Sequence, residues 1–181
     1  LYVVTIIAIV AVAVGVFWYY SSQDTTPSPK PVAINAQITL VDIDGVQTIV
    51  NGETLVNFDS IAYQGGLMTS AGSVSSLGTY AAVPLDTLLS MIGDLTDEIA
   101  VRVTASDGYA MVFTYEQITG GKFVVFDPVT GDETTHQDSI SVGVSYFKDG
   151  EPLELKDGPL RLVAIGPEGL ITEGHYWIKN V

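Results

Sequence analysis

The chain opens with an uninterrupted run of hydrophobic positions. Leu1–Tyr20 contains no charged residue, and apart from its tyrosine hydroxyls the only polar side chain is Thr5. A helix of this length spans about 30 Å at about 1.5 Å per residue, which is the thickness of a bilayer core. The run ends in the aromatic cluster Phe17–Tyr20, as is typical of a membrane–water boundary. The pattern predicts a hydrophobic helix for a membrane or for the core of an assembly.

A polar, proline-rich stretch follows this run. Ser21–Pro31 reads SSQDTTPSPKP, which disfavours helix and core and predicts an extended spacer. We therefore place a linker at residues 21–35 and one domain outside the cytoplasm at residues 36–181. The hydroxyl-bearing residues of the spacer leave an O-glycosylated stalk as an alternative to a plain linker.

Hydrophobic positions in residues 36–181 mostly alternate with period two, which is typical of half-buried strands. The pairs Asp44-Gly45 and Asp107-Gly108 each separate two such runs and predict β-hairpins. Only Pro84–Gly93 and, more weakly, Val56–Tyr63 look helical. The fold class is therefore α+β and mainly β. Further strands are predicted at Phe123–Phe126, Ile140–Phe147, Leu160–Ile165 and Tyr176–Val181.

Acidic residues dominate the charge. The chain has 7 Lys and Arg against 21 Asp and Glu, a formal net charge of −14, and every charged residue follows position 23. Nucleic acid is not expected as a partner, because its phosphates would be repelled. The chain has no cysteine, which excludes disulfides, Cys-ligated metal centres and thiol catalysis.

The start of the chain has neither a Met nor a basic residue ahead of the hydrophobic run. An ordinary signal anchor carries basic residues on its cytoplasmic side. Either such residues lie outside this sequence or a peptidase has removed them. The second case resembles type IV pilins and archaellins, whose exposed N-terminal helix packs with its copies in a filament core. Bacterial pilins carry Glu where this chain has Thr5, and archaeal members often lack that Glu.

Four segments of the domain, taken in order and spacing, resemble a known family. They are Gly78–Gly93 with its Val-Pro-Leu run, Val103–Tyr109, Asp157–Val163, which reads DGPLRLV, and His175–Val181. Together they are similar to the sulfite oxidase-type molybdopterin-binding domain. The resemblance covers about residues 36–181 and implies a mixed, mostly antiparallel β fold.

The family's chemistry does not follow from this resemblance. Its enzymes bind molybdenum through a Cys thiolate in a C-A-G-x-R segment; the similar segment here is Thr69–Val74, with Ser70 in place of the Cys and no following Arg. A serine hydroxyl is a hard, weakly acidic ligand and cannot replace a thiolate. We therefore expect no molybdopterin and a vestigial pocket whose candidate residues are Ser70, Arg161 and His175.

Two further features have alternative interpretations. Asp127, Asp132 and Glu133 place three carboxylates within one short segment and offer oxygen ligands for Ca²⁺. The segment lacks EF-hand spacing, and a plain acidic turn is the alternative. Arg161, one of two arginines, either lines the pocket or forms an ion pair that closes the domain.

These patterns favour a non-enzymatic structural subunit of an extracellular filament, with the acidic domain exposed. Its partners would be copies of itself, and the membrane before assembly. A binding or accessory module held at the cell surface by a single-pass anchor is the alternative, and a redox enzyme is the third. The candidate assembly residues of the helix are Leu1, Val4, Ile7, Ala11, Val14, Phe17 and Trp18.

Overall fold

The computed structural model describes residues 34–181, so the predicted N-terminal helix and most of the linker lie outside the described residues. The described part is mostly β with a few short helices, which confirms the mainly β class. Within it, no helix is long and apolar enough to cross a membrane.

A mixed sheet of eight strands forms the centre of the domain, in the order β10-β9-β4-β3-β12-β7-β8, with β11 paired to β9. All pairs are antiparallel except β12 with β3, where Thr172 lies opposite Leu67. The strands of this sheet are β3 (Ile61–Met68), β4 (Val74–Pro84), β7 (Val125–Phe126), β8 (Glu133–Thr134), β9 (Ser141–Lys148), β10 (Glu151–Pro152), β11 (Arg161–Ile165) and β12 (Ile171–Glu173).

Two separate hairpins flank this sheet. The first joins β1 (Gln37–Val41) to β2 (Gln47–Asn51), and the second joins β5 (Val101–Thr104) to β6 (Ala110–Phe113). Both turn at the predicted Asp-Gly pairs, where each glycine has a positive φ that a side chain would disfavour. The two hairpin predictions are confirmed.

Three short α-helices punctuate the strands. Asn51 caps α1 by accepting a hydrogen bond from the Thr54 N–H at 2.8 Å. The described helices are α1 (Gly52–Leu55), α2 (Leu85–Leu89) and α3 (Tyr115–Thr119), followed by 3-10 turns at Leu155–Asp157 and Gly174–Tyr176.

Helix α2 confirms the prediction for Pro84–Gly93, although it ends four residues earlier than Gly93. The helix predicted at Val56–Tyr63 is wrong, because the helix lies before it, at Gly52–Leu55, and β3 starts at Ile61. There Ile61 and Tyr63 pair with β4 instead. Cross-strand pairing outweighs a weak helical pattern in this short segment.

The last predicted strand, Tyr176–Val181, is also wrong as a regular strand. A 3-10 turn occupies its start, and a single β-bridge links Lys179 to Arg161. The segment nevertheless runs beside β11, since the Leu162 N–H donates to the Ile178 carbonyl at 2.8 Å. It therefore covers the edge of β11 that β9 leaves free.

Two hydrophobic clusters hold the domain together. The larger lies between the hairpins, α2 and one face of the sheet, and includes Leu88, Phe113 and Leu162, each fully buried. The smaller contains Tyr80 and Trp177. Every residue of β11 is buried, so this strand separates and supports both clusters.

Candidate functional site

The candidate site forms around the first residue of β11. Arg161 is only 1% exposed and is the largest fully buried side chain of the described domain. A buried guanidinium must be paired, since an isolated charge is strongly disfavoured away from water. The groups that pair with Arg161 therefore determine which chemistry is possible at this site.

A carboxylate joins Arg161 to a second cation. The Arg161 Nη1 donates to Asp157 Oδ1 at 3.0 Å, and Lys179 Nζ lies 2.9 Å from the same oxygen. Burial alone would raise the pKa of Asp157. The hydrogen bond from Lys179 and the positive charges of Arg161 and Lys179 outweigh burial and lower that pKa. The triad carries one net positive charge and ties the last residues of the domain to β11.

Aromatic rings cover the other side of the guanidinium. The Arg161 Cζ lies 5.2 Å from the ring centroid of Trp177, within the range of a cation–π contact. Trp177 donates its Nε1–H to Thr172 Oγ1 at 2.8 Å and meets the Tyr80 ring edge-on at 5.1 Å. The Arg161 Nε has no hydrogen-bond partner among the described residues. The ring of Trp177 is thus fixed by its own hydrogen bond against the cation.

Tyr80 completes this cluster from β4. Its hydroxyl donates to the Ser76 carbonyl at 2.6 Å, and the Ser76 hydroxyl lies 3.5 Å from Arg161 Nη2. Burial raises the pKa of Tyr80 to about 12, against the opposing effect of the Arg161 charge. Ser76 has a φ of 56°, uncommon for a residue with a side chain. The Tyr80 contact fixes Ser76 in that conformation.

Tyr80 should make the domain sensitive to high pH. Its pKa is higher in the folded state than the ordinary tyrosine value of 10.0, so its contribution to stability is complete below about pH 10 and is lost as pH rises towards 12. Titration of tyrosinate absorbance should show a late step from Tyr80 that accompanies unfolding. Tyr80→Phe should remove the late step, whereas Tyr109→Phe, at a 45% exposed position, should leave it. A late step that persists in Tyr80→Phe would contradict this assignment.

The structure places Ser70 and His175 just beyond the C-terminal ends of two neighbouring strands. β3 and β12 run parallel, with Met68 opposite Glu173, so both residues follow the same strand ends. Ser70 lies exposed in the turn after β3. His175 Nε2 lies 3.9 Å from Glu173 Oε2, and the centroids of the His175 and Tyr176 rings are 4.0 Å apart. No hydrogen bond or ion pair joins Ser70, Arg161 and His175 to one another within residues 34–181.

These residues do not fit a molybdopterin cofactor. Ser70 offers an exposed hydroxyl where a soft thiolate is needed. The Arg161 guanidinium, which a pterin phosphate would require, is buried against Trp177 and paired with Asp157.

The acidic segment after β7 closes as a turn. Asp127 Oδ1 accepts hydrogen bonds from the Val129 and Thr130 N–H groups, each at 2.8 Å, and these lower the pKa of Asp127. Asp132 lies at the far side of the same turn, where its carbonyl accepts from the Asp127 N–H at 2.9 Å, and Glu133 pairs with Phe126 in the ladder. Residues 34–181 contain no group of three acidic or histidine side chains placed to bind a metal.

Sequence reasoning found Arg161 but missed the residues that surround it. Asp157 stands four positions before Arg161, and this spacing was the one available signal for the pair. Tyr80 and Ser76 are separated from Arg161 by a long stretch of sequence, so only the pairing of β4 with the sheet brings them near.

Comparison with known proteins adds no family to this description. No protein-family model matches the chain, and no curated protein matches it. The domain is therefore defined by its own features, a mostly β fold whose candidate site is a buried cation held by a carboxylate and an aromatic ring.

Proposed function

We propose that this protein is a non-enzymatic structural subunit of an extracellular, type IV pilin-like filament. Leu1–Tyr20 would form a helix that packs with its copies in the filament core, and the acidic domain would form the outer surface. The observation that carries the proposal is the contrast between an uncharged apolar run and a domain that holds the whole net charge. Residues 1–33 sum to zero from Asp24 and Lys30, which leaves −14 for residues 34–181.

The candidate site supports a structural role. Arg161 is enclosed by Asp157, Lys179 and Trp177 and has 1% of its surface exposed. Such a group stabilises the domain and is closed to a substrate. We further propose that residues 36–181 adopt the sulfite oxidase-type fold with this pocket in a vestigial, cofactor-free form.

The absence of cysteine from the chain gives a direct test of the assembly. A chain carrying Ile7→Cys and Val14→Cys has reactive groups only in the predicted helix. If helices pack with their copies, mild oxidation of surface material should produce a ladder of covalent multimers, because each chain can link to two neighbours. Electron microscopy of the same material should show helical filaments.

A matched control places both cysteines on the domain instead. Val129 and Leu155 are 89% and 99% exposed, and a chain carrying Val129→Cys and Leu155→Cys should yield no ladder although it also has two thiols. A membrane fraction that contains only unlinked chains, with no filaments, would refute the filament. That result would favour the alternative of a binding module on a single-pass anchor.

A further inference from the structure

An apolar groove of about 910 Å³ opens beside the larger hydrophobic cluster. Leu85 and Leu88 of α2 and Val103 of β5 form its floor and are nearly or fully buried, whereas Leu89 and Ile92 remain partly exposed along its wall. The volume is at the upper end of the range of about 300–1,000 Å³ for small-molecule sites. The groove is thus large enough for an extended occupant.

Two strands border the groove along their length. Every residue of Gln37–Ile43 lines it, and so does every residue of Ile99–Ser106, while no residue of β2 or β6 does. If a face of a strand lined the groove, only every second side chain would point into it. Here every residue of both segments lines the groove, which places the backbone edges of the two strands along it. Within residues 34–181, β1 pairs only with β2 and β5 only with β6. Each strand therefore turns to the groove the edge that has no partner strand within the described part of the chain.

The alternation of hydrogen bonds along β1 identifies which of its backbone groups point away from β2. The Asp42 N–H donates to the Val46 carbonyl at 3.1 Å, and the Gly52 N–H donates to the Ala36 carbonyl at 2.8 Å. The backbone N–H and C=O groups of the even-numbered residues of β1 therefore point towards β2. In an antiparallel ladder the alternate residues direct their N–H and C=O groups away from the partner, which leaves Thr39 and its odd-numbered neighbours facing the groove.

The same alternation applies to β5. The Ala105 N–H donates to Tyr109 of the β6 side at 2.8 Å, and the Ser106 N–H points the other way, to the Asn180 carbonyl at 2.9 Å. Even-numbered residues such as Arg102 and Thr104 therefore present their backbone groups to the groove. The contact of Ser106 with Asn180 shows that this edge already donates to a backbone carbonyl at one end.

The chemistry of the walls selects one kind of occupant. An acyl chain would fill the apolar floor but would leave both strand edges without hydrogen bonds, which is costly for buried backbone groups. An extended peptide satisfies both edges and places alternate side chains on the floor. Two carboxylates, Asp42 and Asp94, line the groove against one cation, Arg102, and the surrounding domain carries −14, so basic residues at the ends of an occupant are complemented.

We propose that this groove is a strand-acceptor site for an extended peptide of a partner protein, with alternating aliphatic residues and basic flanks. The bound segment would join β1 to β5 and convert the two hairpins into one five-stranded sheet in the order β2-β1-peptide-β5-β6. The groove lies within residues 37–181 and is available whether the chain assembles into filaments or remains an anchored single domain.

The test uses the full chain in lipid nanodiscs and a short peptide in which valine and threonine alternate between terminal lysines. Hydrogen exchange measured by mass spectrometry should slow in Gln37–Val41 and Val101–Thr104 when this peptide is added. The same peptide with a central proline should protect neither segment, because proline removes a ladder donor. Equal protection by both peptides, protection by dodecanoate, or no protection would overturn the proposal.

A pair of variants at one register position separates edge pairing from folding. Thr39→Pro removes a donor that faces the groove, whereas its cross-strand partner Ile49 directs its N–H to the opposite edge of the hairpin. Thr39→Pro should weaken peptide affinity by about tenfold, and Ile49→Pro should change it by less than about twofold. Equal weakening by both variants would also overturn the proposal, because the peptide would then be sensing the hairpin's stability alone.

Discussion

Replacing Arg161 by methionine is expected to lower the free energy of unfolding by about 3–5 kcal/mol. The substitution removes a guanidinium that is 1% exposed and leaves the Asp157 carboxylate, 7% exposed, with Lys179 as its one remaining partner at 2.9 Å. It also removes the cation above the Trp177 ring. Urea unfolding of the full chain, followed by far-ultraviolet circular dichroism, measures the effect.

An exposed ion pair in the same domain provides the control. Lys122 Nζ lies 3.1 Å from Glu116 Oε1, with both side chains about two-thirds exposed. Lys122→Met should change stability by less than about 1 kcal/mol, since solvent screens such pairs. The combined variant Arg161→Met/Asp157→Leu should recover part of the loss, because it also removes the buried carboxylate that Arg161→Met leaves with Lys179 alone. Unchanged stability in Arg161→Met would mean that the guanidinium is not part of the structural framework.

Gly121→Ala is expected to destabilise the domain by about 2–4 kcal/mol, within the range for strained backbone and overpacked positions. Gly121 has a φ of +62°, and a Cβ there would meet the backbone nitrogen of Ile140 and, at 2.5 Å, its carbonyl oxygen. Backbone atoms of a buried residue cannot move aside as a flexible side chain can. Thermal unfolding of the variant should show a clear drop in its midpoint.

Gly45→Ala separates the cost of a positive φ from the cost of a steric clash at the new Cβ. Gly45 also has a positive φ, +82°, but a Cβ there has no neighbour within 4 Å. Its cost should stay near about 1 kcal/mol, the usual penalty for alanine in a left-handed conformation. Equal losses in the two variants would show that the approach of Ile140 to Gly121 contributes nothing.

The elements that sequence predicts well are those whose signals are local. Asp44-Gly45 and Asp107-Gly108 close their hairpins because aspartate and glycine suit the turn itself, whatever the rest of the chain does. Helix α2 follows from a proline at its start and leucines on one face.

The elements that sequence misses depend on distant partners. Val56–Tyr63 has a helical pattern, but its end becomes β3 because Tyr63 pairs with Tyr80 of β4. The last residues of the chain carry strand-like side chains, yet the 3-10 turn at Gly174–Tyr176 interrupts them. Such outcomes are decided by tertiary pairing, which local propensity cannot encode.

The candidate site shows the same division. Arg161 stood out as one of two arginines in an acidic chain. Its burial, the second cation at Lys179 and the stacking of Trp177 depend on how the last residues fold back along β11. The resemblance to a cofactor-binding family led to Ser70 and His175, which contact neither Arg161 nor each other among the described hydrogen bonds and ion pairs.

The parallel pairing of β3 with β12 has a consequence for the order in which the protein is made. Leu67 lies opposite Thr172, so the middle of the central sheet receives its last strand only when the final residues of this sequence have been synthesised. Contacts this distant in sequence close late in folding. A ribosome therefore delivers Leu1–Tyr20 long before the central sheet can close.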